Sequence, residues 1–167
     1  MALKGVHVFP ELAFGELDNC MLVVWREPPT IRTTTLLIEA LAALCERCPE
    51  GAAIVQIVEP GSKAPDEATR KATADGLREI GPNLKAVGFV FEGDQFRIAL
   101  NRAVITTLMF FQKHPHPTKV FRTPHDALAF VAARVDVTED LVENAELALE
   151  HLRRRIDHRA HVVAAFS

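Results

Sequence analysis

The chain is poor in the residues on which most recognisable catalytic motifs depend. It has no tyrosine, three cysteines and two serines among its 167 residues. Neither Ser62 nor Ser167 lies in the G-x-S-x-G sequence that presents a nucleophilic serine on a strand-to-helix turn. No cysteine has a histidine close to it in sequence, as a thiolate paired with a base would need. The sequence therefore predicts a protein that is not an enzyme and has no catalytic residue.

The cysteines Cys20, Cys45 and Cys48 are an odd number without the regular spacing of a disulfide framework, which is typical of a reducing compartment. We expect a cytoplasmic protein. Cys45 and Cys48 form a CxxC sequence at the end of a predicted helix, whereas thiolates are activated at the positive N-terminal end. Cys20 is the only further thiol, so one chain cannot supply four thiolates to zinc. We interpret Cys45 and Cys48 as small, half-buried side chains.

Long apolar runs and an excess of charge of one sign are also absent. The first ten residues contain no apolar stretch of signal-peptide length, and the apolar run at residues 108–111 is far too short to cross a bilayer. Acidic residues number 22 and basic residues 19, which gives a net charge of −3 spread along the chain. Such a chain has no field that would attract a polyanion. We therefore expect neither membrane insertion nor nucleic acid binding.

Short apolar runs rich in β-branched residues alternate with longer segments of helical periodicity. Two of these runs, IVQIV and VGFVF, are apolar on both faces, as in strands that helices cover on both sides of a sheet. They should be central. The predicted strands are residues 6–9, 20–25, 53–58, 86–91 and 119–121.

Helices are predicted between and after these strands, at residues 31–48, 65–80, 95–113, 124–134 and 138–155. The order is β-β-α-β-α-β-α-β-α with one additional C-terminal helix. It predicts an α/β fold with a mixed, mostly parallel five-stranded sheet. We expect the first two strands, which a turn at residues 15–19 separates, to pair antiparallel. Residues 157–167 are expected to be loosely held.

This order, with its N-terminal strand pair and closing segment KVFRTPHDALAFV, resembles the STAS fold of sulphate-transporter tails and anti-sigma-factor antagonists. More closely, the sequence is similar to a group of bacterial proteins described as STAS-like or CRAL-TRIO-like. The resemblance covers most of residues 20–133, in the segments MLVVWREPPT, IVQIVEPGSKAP, VGFVFEGDQFRIALNRAVITTL and KVFRTPHDALAFV. It implies a regulatory module that binds another protein or, in the CRAL-TRIO comparison, a carrier of a small apolar ligand.

The antagonist branch of the STAS family carries a phosphorylated serine at the start of the helix after its third strand. The matching region here contains Ser62, which the resemblance makes a candidate phosphorylation switch. The Asp-Ser pair typical of that site is absent, and Ser62 precedes the predicted helix by about two residues. A turn serine following Pro60 and Gly61 is the alternative interpretation.

Acidic residues follow two central strands, and ligands of open α/β sheets bind outside the carboxyl ends of strands. Glu59, Glu92 and Asp94 are therefore the candidate residues of a small-molecule crevice, with acidic caps of exposed loops as the alternative. Two histidine groups, His114 with His116 and His125 with Asp126, lack the spacing of a recognised zinc motif. We predict neither a metal nor a cofactor.

Two apolar stripes remain for an interaction surface. Ile98, Ile105 and Met109 lie on the side of the third predicted helix opposite to its main apolar face. A second stripe, on the last predicted helix, includes Leu141, Leu149 and Leu152 and must be buried against something. It packs either on its own domain or across a two-fold axis in a homodimer.

Taken together, these patterns predict a STAS-like α/β domain at residues 1–134 and a C-terminal helical extension at residues 135–167, packed on the domain or on a second subunit. We expect a non-catalytic regulatory or protein-interaction module that binds an unidentified protein and forms a homo-oligomer. A carrier of a small apolar ligand and a small enzyme of unknown reaction are the alternatives.

Overall fold

A computed structural model describes residues 3–93, 116–135 and 140–165, with the side chains of the last helix described to residue 161. Within these ranges the chain is an α/β fold with six strands and four helices. The strands are β1 (Lys4–Val8), β2 (Leu12–Leu17), β3 (Cys20–Trp25), β4 (Ala52–Val58), β5 (Leu84–Phe91) and β6 (Thr118–Phe121). The helices are α1 (Ile31–Arg47), α2 (Glu67–Glu79), α3 (Pro124–Ala132) and α4 (Leu141–Ala165).

The six strands form one sheet in sequential order, β1-β2-β3-β4-β5-β6. The strands β1, β2 and β3 pair antiparallel, and the pairs from β3 to β6 are parallel. The prediction of an α/β fold with a mixed sheet is thereby confirmed. The most apolar strands, β3 and β4, are central and nearly fully buried.

The predicted number of strands was wrong by one. The two N-terminal strands were expected to pair with each other, but β2 lies between them and pairs with both. Gly15 had been taken for part of a turn, yet it lies within β2, where a Cβ atom would come within 3.0 Å of Leu3 Cγ. Glycine is used here for close approach of a neighbouring side chain. The actual turn is Asp18 and Asn19, with Asp18 in the left-handed region at φ 50°.

The helices α1 and α3 begin at the predicted residues, and α2 begins at Glu67, two residues after the predicted start. Thr30 caps α1 in a reciprocal arrangement with Thr33, Asp66 caps α2 and Thr123 caps α3 just before Pro124. The first helix ends at Arg47, before Pro49, and Cys48 donates its backbone N–H to the Leu44 carbonyl. Local sequence alone explains these boundaries.

Each face of the sheet is covered by a different helix pair. The helices α1 and α2 cover one face with a core that includes Leu37, Leu41 and Leu77. The helices α3 and α4 cover the other face with Leu128, Leu149 and other residues. Burial of each such leucine stabilises the fold by about 1.5 to 3 kcal/mol before entropy costs.

The last helix differs from its prediction in length and in the use of its apolar stripe. It continues to Ala165, so the expectation of a loosely held segment from residue 157 was wrong for residues 157–165. No glycine or proline interrupts it. Its stripe residues Leu141, Leu149 and Leu152 are buried in the chain's own core rather than displayed on a surface. The covering elements are β2, β3 and α3.

Several residues singled out in the sequence lie outside the described ranges. They are the third predicted helix with Ile98, Ile105 and Met109, and also Asp94 and His114. Among the residues that the structure does describe, no helix combines the length and apolar character needed to cross a bilayer.

Candidate functional site

Three charged residues follow the carboxyl ends of three adjacent strands. Arg26 follows β3, Glu59 follows β4 and Glu92 follows β5. They are aligned because the backbone ladder continues past the strands: Glu59 N–H donates to the Trp25 carbonyl at 2.9 Å, and Glu92 N–H donates to the Val58 carbonyl at 3.0 Å. Alternation along the strands directs all three side chains to the sheet face that α4 covers. The three residues form one row.

Arg26 links this row to α4. Its guanidinium donates to both carboxylate oxygens of Glu59, at 2.7 Å from Nε and 3.3 Å from Nη2, and Nη1 also contacts Asp157 of α4. The hydrogen bond that Arg26 donates to Glu59 raises the pKa of Arg26, with burial opposing this shift and Asp157 adding to it. The pair is partly desolvated, since the Glu59 side chain is only 12% exposed. Such bidentate pairs are stronger than single-contact ion pairs.

Arg153 of α4 makes the second bidentate pair. Its Nη2 and Nη1 atoms donate to the two oxygens of Glu92 at 2.7 and 3.0 Å, and Nη1 lies 3.5 Å from Glu59 Oε1. The hydrogen bond to Glu92 is the main reason that the pKa of Arg153 is raised. Two arginines thus alternate with three carboxylates in the chain Asp157, Arg26, Glu59, Arg153, Glu92, which we call the edge network.

The edge network determines what the carboxyl edge can do chemically. Ligands of open α/β sheets bind outside the carboxyl ends of their strands, but here α4 lies against that edge and its Arg153 occupies the carboxylates of Glu59 and Glu92. The oxygens of both carboxylates already accept hydrogen bonds from guanidinium groups, so a ligand would have to displace an arginine to reach them. The two glutamates are brought together as the sequence suggested, in a structural contact between helix and sheet.

Sequence reasoning missed the basic members of the edge network. Arg26 occupies the position after β3 that is equivalent to the positions of Glu59 and Glu92. Arg153 falls in the last turn of the helix predicted at residues 138–155, where a cation suits the helix dipole. Its helical phase beside Leu149, Leu152 and Ile156 is the signal that could have placed it on the sheet side.

Ser62, the candidate switch, lies in the loop between β4 and α2 and is 5% exposed. Its hydroxyl donates to the carbonyl of Glu27 at 3.0 Å, and its backbone N–H donates to the carbonyl of Glu59 at 3.0 Å. The hydroxyl bond ties the loop after β4 to the loop after β3, and the backbone bond closes a turn within the loop after β4. A kinase would reach the hydroxyl only after these two loops separate.

The three cysteines are free thiols. Burial raises the pKa of Cys20 to about 12 and that of Cys45 to about 11, and burial also raises the pKa of Cys48. Cys48 donates its thiol hydrogen to Asn19 Oδ1 at 3.3 Å. These environments disfavour the thiolate, which is the reactive form in redox chemistry and metal binding.

The described histidines of the candidate metal group are separated by the fold. His116 is 5% exposed, and its two ring nitrogens lie 2.8 Å from the Leu84 carbonyl and 3.2 Å from the Leu77 carbonyl. It therefore joins the start of β5 to the end of α2. His125 lies on α3 and contacts Glu146 at 3.1 Å. Over the described part of the chain, no three histidine, cysteine or acidic side chains are grouped to hold a metal ion.

Comparison with known proteins adds no relative to this description. No family model, no curated protein and no solved structure matches the chain. The functional inference therefore depends on the geometry and on the sequence.

Proposed function

We propose that the protein is a non-catalytic regulatory module of STAS type that acts by binding another protein in the cytoplasm. One observation carries the proposal: α4 closes the carboxyl edge of the sheet through the edge network. The position at which an α/β enzyme of this kind would hold its substrate is therefore occupied by the chain's own helix. Binding through the outer surface is the function that this arrangement favours.

The observed strand order gives secondary support. Consecutive parallel strands are neighbours, and the two described connecting helices, α1 and α2, share one face of the sheet. From β2 to β5 the described elements follow the β-β-α-β-α-β order expected from the sequence, with β1 as an additional strand before it. The three reduced thiols are compatible with a cytoplasmic location. The serine switch is not part of the proposal, because Ser62 is buried and its hydroxyl is bonded to Glu27.

A photo-crosslinking scan in the cells that produce the protein tests this function. A crosslinking residue is placed at exposed positions, one at a time: Ile31 at the start of α1, Lys71 on α2 and Leu147 on α4. We expect a discrete adduct with a different protein at one position and none at another. The partner protein, once purified, should form an adduct with the purified module at the same position and none at the other.

Two outcomes contradict the proposal. The first is the absence of a heterologous adduct at all three positions. The second is a stoichiometric small molecule, detected by native mass spectrometry, that is lost on Glu59→Gln or Glu92→Gln substitution. That result would mean that the carboxyl edge opens to take a ligand.

A further inference from the structure

The outward face of α4 carries many exposed charged side chains, and contacts within the described chain involve only some of them. Positions along this face are exposed from just before the helix to its last described side chain. The first half of the face carries the acidic residues Asp140, Glu143, Glu146 and Glu150. The second half carries arginines and histidines, namely His151, Arg154, Arg155, His158, Arg159 and His161, together with one acidic residue, Asp157, which contacts Arg26.

The charges reverse about the midpoint between Glu150 and His151. In an antiparallel pair of such helices centred there, Glu143 of one copy lies at the height of His158 in the other, and Leu147 at the height of Arg154. Arg154 is then flanked, one helical turn to either side, by Glu150 and Glu143 of the other copy. The acidic half of each copy thus meets the arginines and histidines of the other copy.

We propose that the outward face of α4 binds a second copy of this chain in an antiparallel, two-fold symmetric pair. A two-fold interface places the same surface on both subunits, so it must be self-complementary. A helix whose exposed charge is reversed about its midpoint meets that condition, whereas a parallel pair would set acid against acid. The proposal does not depend on the function proposed above.

Leu147 supplies the apolar part of this seam. It is 71% exposed, and Ile31 is the only other large apolar side chain of the described residues that is exposed. In the antiparallel pair the aliphatic stem of Arg154 from the second copy covers it, while the guanidinium reaches Glu143 and Glu150. Because the pair is two-fold symmetric, Leu147 is covered in both subunits.

Contacts within the chain leave most of the face available. Glu146 contacts His125 of α3, Glu150 lies 3.6 Å from Arg153, and Arg159 donates to the Val8 carbonyl. These contacts lie toward the borders of the face. The exposed seam from residue 140 to residue 161 extends about 31 Å at 1.5 Å per residue. Because most of it is charged, the association should be moderate and sensitive to salt.

Sedimentation velocity with charge-exchange variants tests the pairing. We expect a dimer in about 0.05 M NaCl whose dissociation constant rises about tenfold or more in about 1 M NaCl. Arg154→Glu should weaken it about tenfold or more, because two like-charge contacts replace two attractive ones. Glu143→Arg should weaken it as well, and the variant with both changes should dimerise more tightly than Arg154→Glu alone. Recovery should be partial, because the contact between positions 154 and 143 becomes attractive again while that between positions 154 and 150 stays repulsive. Glu39→Lys and Arg32→Glu, on the exposed side of α1, serve as charge-matched controls.

Disulfide trapping tests the direction of the helices in a Cys48→Ser background. Two copies of Glu150→Cys lie next to each other across the two-fold axis and should form a disulfide-linked dimer under mild oxidation. Two copies of Glu143→Cys lie about 22 Å apart and should not.

A monomer under all salt conditions overturns the proposal, as does a dimer that Arg154→Glu leaves intact. Trapping at residue 143 but not at residue 150 excludes the antiparallel seam. A seam that passes these tests covers Leu147 but leaves the crosslinking positions Ile31 and Lys71 open to a heterologous partner, so the two proposals fail separately.

Discussion

Replacement of Arg153 by methionine is the most direct perturbation of the contact between α4 and the sheet. Methionine keeps the unbranched stem that packs beside α4's buried stripe but removes the guanidinium. Glu92 then loses two charge-assisted hydrogen bonds, at 2.7 and 3.0 Å, and Glu59 loses a neighbour at 3.5 Å. Glu59 keeps its bidentate partner Arg26. The damage should therefore be concentrated at Glu92.

The exposure of the pair determines the size of the loss. The Arg153 and Glu92 side chains are 22% and 25% exposed, which places them between surface pairs and fully buried ones. Exposed pairs contribute about 0 to 1 kcal/mol, and breaking a buried pair costs about 3 to 5 kcal/mol. We expect a loss of about 2 kcal/mol in the free energy of unfolding. For a chain of this size it corresponds to a fall in melting temperature of roughly 4 to 8 °C.

Urea denaturation followed by circular dichroism measures this loss, and a double-mutant cycle assigns it to the pair. Arg153→Met and Glu92→Gln should each destabilise the protein, and the variant with both changes should lose less than the sum, with a coupling energy of about 1 kcal/mol or more. Lys71→Met is the control, because Lys71 pairs with Asp75 at 4.0 Å on the exposed side of α2. It should change stability by about 0.5 kcal/mol or less. If Arg153→Met costs no more than Lys71→Met, or if the coupling energy is zero, the edge network does not hold α4 on the sheet.

Three further predictions follow from local contacts. Thr30→Ala should lower the free energy of unfolding by about 1 kcal/mol in urea denaturation while Thr30→Ser keeps most of it, because Thr30 caps α1 through the Thr33 N–H; equal loss in both variants would mean that the hydroxyl is not the cause. Alkylation at pH 8, read by mass spectrometry, should modify Cys48 first and Cys20 only after unfolding, since burial raises the pKa of Cys20 to about 12, and early labelling of Cys20 would contradict this order. Because the pKa is raised in the folded state, the contribution of Cys20 to stability should be lost as pH rises from about 9 toward 12. His116→Ala should cost about 1 to 3 kcal/mol, measured by thermal unfolding, because the carbonyls of α2 and β5 lose their partner; an unchanged melting temperature would show that these two contacts contribute nothing.

Local signals in the sequence were sufficient for much of the fold. The apolar runs around Val55 and Val87 place two central strands, because a strand covered on both faces needs no polar alternation. The starts of α1 and α3 were predicted at residues 31 and 124, and that of α2 two residues too early, at residue 65. Thr30, Asp66 and Pro124 explain these starts, because each satisfies the orphan N–H groups or the backbone angle of a first turn. These signals act within a few residues and do not depend on the rest of the chain.

The errors in the prediction have a common origin. Gly15 indicates a turn when read locally, and only the approach of Leu3 explains its place inside β2. Residues beyond Arg155 carry no helix stop, yet the continuation of α4 past this residue was not predicted. Its anchors are contacts with residues more than a hundred positions away: Asp157 contacts Arg26, and Arg159 donates to the Val8 carbonyl. No local pattern reports such contacts.

The candidate site shows the same division. The sequence by itself determined that Glu59 and Glu92 lie side by side, because carboxyl ends of adjacent parallel strands meet at one edge of the sheet. Only the tertiary structure decided that Arg26 and Arg153 neutralise them. The contact of Arg153 depends on where α4 packs, and Arg153 lies 61 residues beyond Glu92 along the chain. The charges of a sequence are fixed, whereas their partners are chosen by the packing of apolar surfaces that brings distant segments together.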